Sequence, residues 1–221
     1  MNRKFEDLIL QRDRAWYWYL MSKDPLYSKL DPSSIPSLIS RAEECGISVA
    51  SKLVQRYGTT DIFEIYKLLG ISIVESEDTG SFGFYFLSLY EPDSLVRVYT
   101  NRVEEVKEII RTESENSALF PEKVETHLLA HELYHFRENQ SPELFTENHR
   151  FTLWKIGPFA YKSRLNALSE IGATAFTKAF CNINYNPCII NYALLLCIAP
   201  QSADKLYQEV MSKSLALENP N

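Results

Sequence analysis

The chain reads THLLAHELYHF from Thr126 to Phe136, and this stretch decides the centre of the fold. A proline five residues upstream suits the first turn of a helix, so we predict a helix over about 121–137. Within it, His131, Glu132 and His135 form the pattern H-E-x-x-H. Residues four apart share one helical face, so both imidazoles could reach one zinc ion at about 2.0–2.1 Å.

The glutamate of this pattern points in another direction. Glu132 lies about 100° round the helix from His131, which directs it at a metal-bound water and not at the metal. Zinc lowers the pKa of such a water to about 7, and the carboxylate would take its proton as the water attacks a polarised carbonyl. The alternative interpretation is a charged surface turn with two unrelated histidines. The chain has 4 histidines, so the pattern rarely arises by chance.

A catalytic zinc usually has three protein ligands and one open position, so a third donor is needed. The position six residues after the second histidine is Ser141, which excludes the three-histidine metzincin arrangement, and His149 stands alone in a polar segment. Glu170 is the better candidate, because it lies among small and apolar residues where a carboxylate needs a partner. The alternative for Glu170 is a salt bridge to Arg164 or Lys178.

Around this helix the sequence predicts an α+β fold that is mostly helical, with a small three-stranded β-sheet packed beside the zinc-binding helix. Further helices are predicted over 3–21, 37–57, 62–69, 103–116, 159–180, 187–198 and 201–217. Strands rich in β-branched and aromatic residues, which we expect to form a meander, are predicted over 71–75, 82–90 and 95–100. The polar segment 139–158 is predicted to be a loop.

Composition narrows the possible functions. The net charge is −6, which argues against a dedicated nucleic-acid-binding protein, because phosphate contacts need a basic face. The most apolar stretch, 188–199, is too short to cross a membrane, which needs about 20 residues. The first twenty residues contain scattered charges and no apolar h-region, so no signal peptide is predicted. We therefore expect a cytoplasmic protein with reduced cysteines and neither a membrane nor a direct nucleic-acid partner.

The combination of motifs resembles the ImmA/IrrE family of zinc metallopeptidases, gluzincins typically found in bacteria and mobile elements. H-E-x-x-H at 131–135 is followed some thirty residues later by E-x-x-A-x-x-F at 170–176. Upstream, ISVASKLVQRYGTTDIFEIYKLLGISIV at 47–74 is similar to the helices and first strand that lead into the family's active site. VRVYTN at 96–101 is similar to the strand before the active-site helix.

The resemblance covers roughly residues 37–180 and implies three segments. Residues 37–185 would form the metallopeptidase domain. An N-terminal aromatic helix and linker would occupy 1–36, and a C-terminal helical extension of the same domain would occupy 186–221.

This chain departs from the family pattern at two positions. Tyr134 stands where the family most often has Gly, and Thr174 stands where it usually has Asn or Asp, the expected partner of a ligand histidine. Threonine can still bond an imidazole N–H. The oxyanion that forms during peptide hydrolysis also needs a donor beside the zinc. The candidates for this donor are Tyr161, Arg164 and Tyr99, and their spacing in the sequence does not favour any one of them.

These features together predict a zinc-dependent endopeptidase with one Zn²⁺ per chain. The resemblance implies a regulatory protein as substrate, such as a helix-turn-helix repressor cut at one site, and a sheet edge could bind its extended segment. The alternative is a zinc-bearing antirepressor, a binding module that sequesters a transcription regulator without cleaving it. A sensor that binds nucleic acid is disfavoured by the acidic charge.

Overall fold

The computed structural model describes residues 3–78, 86–91, 93–113, 121–157 and 159–218. The α-helices are α1 (Arg3–Ile9), α2 (Asp13–Lys23), α3 (Ile35–Tyr57), α4 (Ile62–Leu69), α5 (Thr100–Glu113), α6 (Val124–Gln140), α7 (Phe145–Asn148), α8 (Asn166–Phe180), α9 (Ile189–Ile198) and α10 (Pro200–Glu218). The strands are β1 (Ser72–Ser76), β2 (Ser88–Glu91), β3 (Leu95–Tyr99), β4 (Phe151–Ile156) and β5 (Phe159–Ser163). The predicted mostly helical α+β fold with a small three-stranded sheet is confirmed.

The N-terminal aromatic segment is two helices, so the single helix predicted over 3–21 is wrong. Between α1 and α2 the side chain of Gln11 donates to the carbonyl of Asp7 at 2.8 Å. This bond satisfies a carbonyl that the backbone N–H of the same glutamine would bond in a continuous helix. The break lets Phe5 of α1 and Trp16 of α2 enter one core, where both are fully buried.

The three-stranded sheet has the order β1-β3-β2, with β1 parallel and β2 antiparallel to β3. The predicted meander is therefore wrong, because a meander would place β2 in the middle. β3 takes that position since Val96 and Val98 alternate along it and are both buried. Of the strand predicted over 82–90, residues 82–85 lie outside the described ranges, and β2 begins at Ser88.

Glycines set the spacing of the helices around the site. A Cβ atom on Gly46 of α3 would lie 2.2 Å from the carbonyl oxygen of Gly172 on α8, so this contact requires glycine. A Cβ atom on Gly172 would lie 2.4 Å from the hydroxyl oxygen of Tyr134 on α6. The buried Tyr134 ring fills this space, and its hydroxyl lies 2.7 Å from that of Thr146. These contacts fix α8, which carries Glu170, against the histidine-bearing α6.

Residues 139–163 differ most from the sequence prediction. The predicted loop 139–158 contains α7 and β4, and the helix predicted over 159–180 begins at Asn166, after β5. The two strands form an antiparallel hairpin whose turn includes Gly157 with φ of 57°. Large apolar residues alternate with smaller or polar ones at 154–156 and 159–163, a period-2 pattern that Gly157 and Pro158 interrupt in the sequence. Four apolar residues on α8 or at its N-cap are buried: Leu165, Leu168, Ala173 and Phe176.

The N- and C-terminal helices belong to the same apolar core as the middle of the chain. The rings of Phe5 on α1 and Tyr192 on α9 meet edge to face at 5.6 Å, and Tyr207 of α10 donates to Asp7 at 2.9 Å. Residues 3–36 and 186–218 also pack on the middle of the chain, where α2 contacts α8 and α9 contacts α5. All four cysteines are free thiols, as expected. Within the described ranges, no helix is long and apolar enough to cross a bilayer.

Candidate metal centre

Two helices bring three donor side chains together. One turn of α6 separates His131 from His135, and their Nε2 atoms lie 3.2 Å apart. From α8, Glu170 places one carboxylate oxygen 3.3 Å from Nε2 of His131 and the other 3.7 Å from Nε2 of His135. Among the described residues, these side chains form a group whose donor atoms all lie within 4.8 Å of one another.

The spacing of the donors fits a tetrahedral metal ion. Ligand atoms bonded to zinc at about 2.0–2.1 Å in tetrahedral geometry are about 3.3–3.4 Å apart. The two Nε2 atoms, 3.2 Å apart, and the 3.3 Å from Nε2 of His131 to the nearer Glu170 oxygen match that value closely. The other Glu170 oxygen lies 3.7 Å from Nε2 of His135. Two imidazoles and one carboxylate also match the ligand types of catalytic zinc sites that keep one position open. The three residues therefore suit a metal ion, and zinc is consistent with their chemistry.

The alternatives for these residues do not match the structure. Arg164 pairs with Glu147, and Lys178 donates to Asp13 at 2.5 Å, so neither cation is the partner of Glu170. His149 lies at the end of α7 beside the ring of Phe145, outside the donor group. His127, one turn before His131, is a core residue whose Nδ1 lies 3.5 Å from the hydroxyl of Tyr185.

The carboxylates and imidazoles in and around the donor group shift one another's pKa values. Burial alone would lower the pKa of His135, but the carboxylates of Glu138 and Glu170 outweigh it and raise this pKa to about 9. Burial favours the neutral acid at Glu170, whose side chain nevertheless keeps 48% of its accessible surface. Its carboxyl group faces His131 and His135, which lower its pKa to about 2. Before a metal binds, His135 is therefore protonated at neutral pH and lies beside the ionised carboxylate of Glu170.

This raised pKa predicts that zinc binding releases a proton. A metal ion binds neutral imidazole, so at pH 7.5 zinc must displace about one proton from His135. Apparent zinc affinity should fall by about tenfold per pH unit from pH 9 downwards and level off above it. Calorimetric titration in buffers of different ionisation enthalpy measures the release. Zinc binding at pH 7.5 without proton release would contradict the prediction.

A buried pair of residues orients His135 from behind. The hydroxyl of Ser169 lies 3.2 Å from Nδ1 of His135 and donates to Oε2 of Glu138 at 2.5 Å. That same carboxylate oxygen lies 3.7 Å from Nδ1. Burial would raise the pKa of Glu138, but His135 and Ser169 lower it, so the carboxylate is ionised. Outer carboxylates of this kind hold a ligand histidine in the required tautomer and raise its basicity.

Sequence reasoning gave this role to Thr174, which instead bonds a sulfur atom. Its hydroxyl lies 3.5 Å from Sγ of Cys188. The overlooked signal for Glu138 was its position three residues after His135, one turn further along the same helix.

Removing the charge of Glu138 should weaken the metal site. We expect Glu138→Gln to lower zinc affinity by about 10–100-fold, because a neutral amide no longer stabilises the imidazole of His135. Competition with a chromophoric chelator measures this affinity. Glu143→Gln is the matched control, because Glu143 is exposed and lies outside the donor group. Equal zinc affinities in the two variants would show that Glu138 does not contribute to metal binding.

Glu132 is held by strand β2 and takes no part in the donor group. The hydroxyl of Ser88 donates to its Oε1 at 2.7 Å, and the backbone N–H of Tyr90 donates to its Oε2 at 2.8 Å. The carboxylate is buried, with 6% of the residue exposed. Helical geometry explains why the side chain of Glu132 points away from those of His131 and His135: adjacent residues are about 100° apart round the helix. Its two donors belong to a strand distant in sequence, and no local pattern indicated them.

An open cleft of about 550 Å³ runs beside these residues. Its lining includes His131, Glu132, His135 and Glu170 from the two helices, with Ser88 and Tyr90 from β2. A smaller cavity of about 170 Å³ adjoins it and also reaches His131 and Glu170. Its apolar walls come from Phe86 and Leu87, just before β2, and from α9. The donor group therefore faces an open cleft and a smaller, partly apolar cavity.

No family model, curated protein or solved structure matches this chain.

The three candidate oxyanion donors are in different places. Arg164 lines the cleft, where it bonds Glu147. Tyr161 lies on the β4–β5 hairpin and stacks on Trp154, and Tyr99 ends β3 with its backbone N–H bonded to a carbonyl next to β2. Neither tyrosine is among the residues that line the cleft.

Proposed function

We propose that this chain is a zinc-dependent endopeptidase of the ImmA/IrrE type. One observation carries the proposal: three metal donors from two helices and a separate buried carboxylate line the same open cleft. Its ligands would be His131, His135 and Glu170. Metal sites that serve only structure are usually closed by four protein ligands, whereas this group supplies three and faces a cleft.

The residues around the donors suit peptide hydrolysis. Zinc bound there would lower the pKa of a bound water and polarise the substrate carbonyl. Glu132 would accept the proton of the attacking water and pass it to the leaving nitrogen. Before the substrate binds, Ser88 and Tyr90 hold this carboxylate at the cleft, since each donates a hydrogen bond to it. Arg164, on the cleft wall, is the best placed of the sequence candidates to donate to a developing oxyanion.

Strand β2 would bind the substrate backbone. Residues Leu89 and Leu87 direct their hydrogen bonds towards β3, as the bond from the Tyr99 N–H to the Leu87 carbonyl shows. Ser88 and Tyr90 therefore direct theirs to the free edge that lines the cleft. An extended peptide could add to this edge as a further strand. It would compete with Glu132 for the N–H of Tyr90, which frees the carboxylate as the substrate arrives.

The substrate class follows from the resemblance of the motifs. We propose a regulatory protein, such as a helix-turn-helix repressor, cut at one site in the cytoplasm. A zinc-bearing antirepressor that only sequesters its partner is the second candidate. The hydrogen bonds that hold Glu132 on β2 would favour it if they persisted in the complex.

The test is hydrolysis by the metal-loaded protein. Purified protein should contain close to one zinc per chain and should release new amino termini from a disordered protein such as β-casein. A chelator should abolish this release, and zinc should restore it. Zinc at one equivalent with no hydrolysis of any polypeptide would favour the antirepressor.

A further inference from the structure

The β4–β5 hairpin extends away from the helical core. Phe151 at its base packs against the core, but the described residues from Trp154 to Lys162 are all exposed. Two-stranded hairpins are at best marginally stable alone in water. An exposed ribbon of this kind gains stability from a partner that covers it.

One face of the hairpin is apolar. The strand register pairs Trp154 with Tyr161 and Ile156 with Phe159, so all four side chains lie on one face. Their exposed fractions are 51%, 52%, 71% and 73%, respectively. The rings of Trp154 and Tyr161 stack at 5.9 Å. Contiguous exposed apolar side chains of this size are typical of an interaction surface.

The opposite face is basic. Residues 150–164 contain four cationic and no acidic residues, although the whole chain has a net charge of −6. Arg150 and Arg164 both pair with Glu147. Lys155 and Lys162 alternate with the apolar residues and have no ion-pair partner among the described residues. The hairpin therefore presents unpaired positive charge behind its apolar face.

We propose that the hairpin docks an extended segment of the protein substrate in which apolar and acidic residues alternate. Successive side chains of a strand point to opposite faces, and a strand added to a hairpin edge continues both faces. Its apolar residues would extend the face of Trp154 and Phe159, and its acidic residues would meet Lys155 and Lys162. This inference rests on the proposed peptidase function and adds the chemistry of the substrate.

The hairpin is continuous with the cleft. β5 is followed directly by Arg164 and Asn166, which line the cleft together with Glu170. A segment held on the hairpin would therefore lie close to the peptide bond that is cut. Docking at a second place raises the effective concentration of the scissile segment, which selects one protein among many with a suitable bond.

A binding experiment tests the docking without hydrolysis. The protein is the zinc-loaded Glu132→Gln variant, and the probe is a fluorescein-labelled 12-residue peptide of alternating valine and glutamate. Peptides with the same composition in blocks, and with lysine in place of glutamate, are the comparison probes. We expect the alternating acidic peptide to bind tightest and to change the fluorescence of the exposed Trp154.

Charge reversal supplies the matched variants. Lys155→Glu with Lys162→Glu should weaken binding of the alternating acidic probe by at least about 10-fold. Lys67→Glu with Lys205→Glu, at exposed positions on α4 and α10, should leave it unchanged. Equal binding by both double variants, or equal binding of the block peptide, would overturn the proposal.

Cleavage separates this inference from the proposed function. In the active protein, the hairpin double variant should raise KM for β-casein and leave hydrolysis of a short peptide confined to the cleft unchanged. Probe binding that depends on Lys155 and Lys162 without any hydrolysis would reject the peptidase and support docking. Hydrolysis of β-casein with the same KM in the hairpin double variant would support the peptidase and reject docking on the hairpin.

Other occupants give distinct results. A dimer in sedimentation that Trp154→Ser dissolves would assign the face to a second copy of the chain. Binding to vesicles of phosphatidylserine and phosphatidylcholine that needs Trp154 would assign it to a lipid surface. Either result without probe binding overturns the proposal.

Discussion

Replacing Glu132 with glutamine should lower the rate of peptide hydrolysis by about 10²–10⁴-fold while zinc stays bound. Glutamine keeps the size of the side chain and can still accept a hydrogen bond from Tyr90, so the fold and the contact with β2 should persist. It cannot take a proton from the attacking water. Because Glu132 lies outside the donor group, metal content should remain near one equivalent.

Rates on β-casein and zinc content should be measured on the same preparation. Glu125→Gln is the control, since Glu125 is on the same helix and does not line the cleft. A wild-type rate in Glu132→Gln would reject the hydrolytic mechanism and leave the binding module as the better explanation.

Replacing both His131 and His135 with alanine should remove the metal. The two imidazoles are two of three donors, and Glu170 alone gives no chelate, so zinc content should fall from about one equivalent to less than about 0.1. Hydrolysis should be lost with it. The milder Glu170→Gln exchanges an anionic donor for a neutral one and should weaken affinity by about 10-fold or more.

Elemental analysis after dialysis measures this loss, and circular dichroism checks the fold. His149→Ala is the control because that histidine lies outside the donor group. Full metal content in the double variant would show that zinc is bound elsewhere.

The sequence predicted best those structural features that depend on residues close together in the chain. Spacing within one helix placed His131 and His135 on a common face. The apolar surroundings of Glu170 indicated a carboxylate in need of a partner, and that partner is the pair of histidines. The limits of α4 match their prediction, because Asp61 caps its start and Gly70 follows its end in the left-handed conformation.

Features that depend on distant contacts were predicted poorly. Strand order was wrong, because nothing local to 71–75 shows that β1 pairs in parallel with β3. The hairpin was assigned to a loop and a helix, since its alternating pattern has no buried face to identify it. The hydrogen bonds of Glu132 to β2 join residues more than forty positions apart. Thr174 was placed correctly on α8, but its neighbour is Cys188.

The contact between Tyr134 and Gly172 constrains how this site can change over generations. The three atoms nearest to a Cβ on Gly172 all belong to the Tyr134 side chain, so the two residues compete for the same space. A descendant that replaced the tyrosine with glycine would open a void, which a larger residue at 172 could fill. Either substitution alone should be selected against, whereas the pair could drift together. Residues 134 and 172 should therefore covary in size among the descendants of this chain.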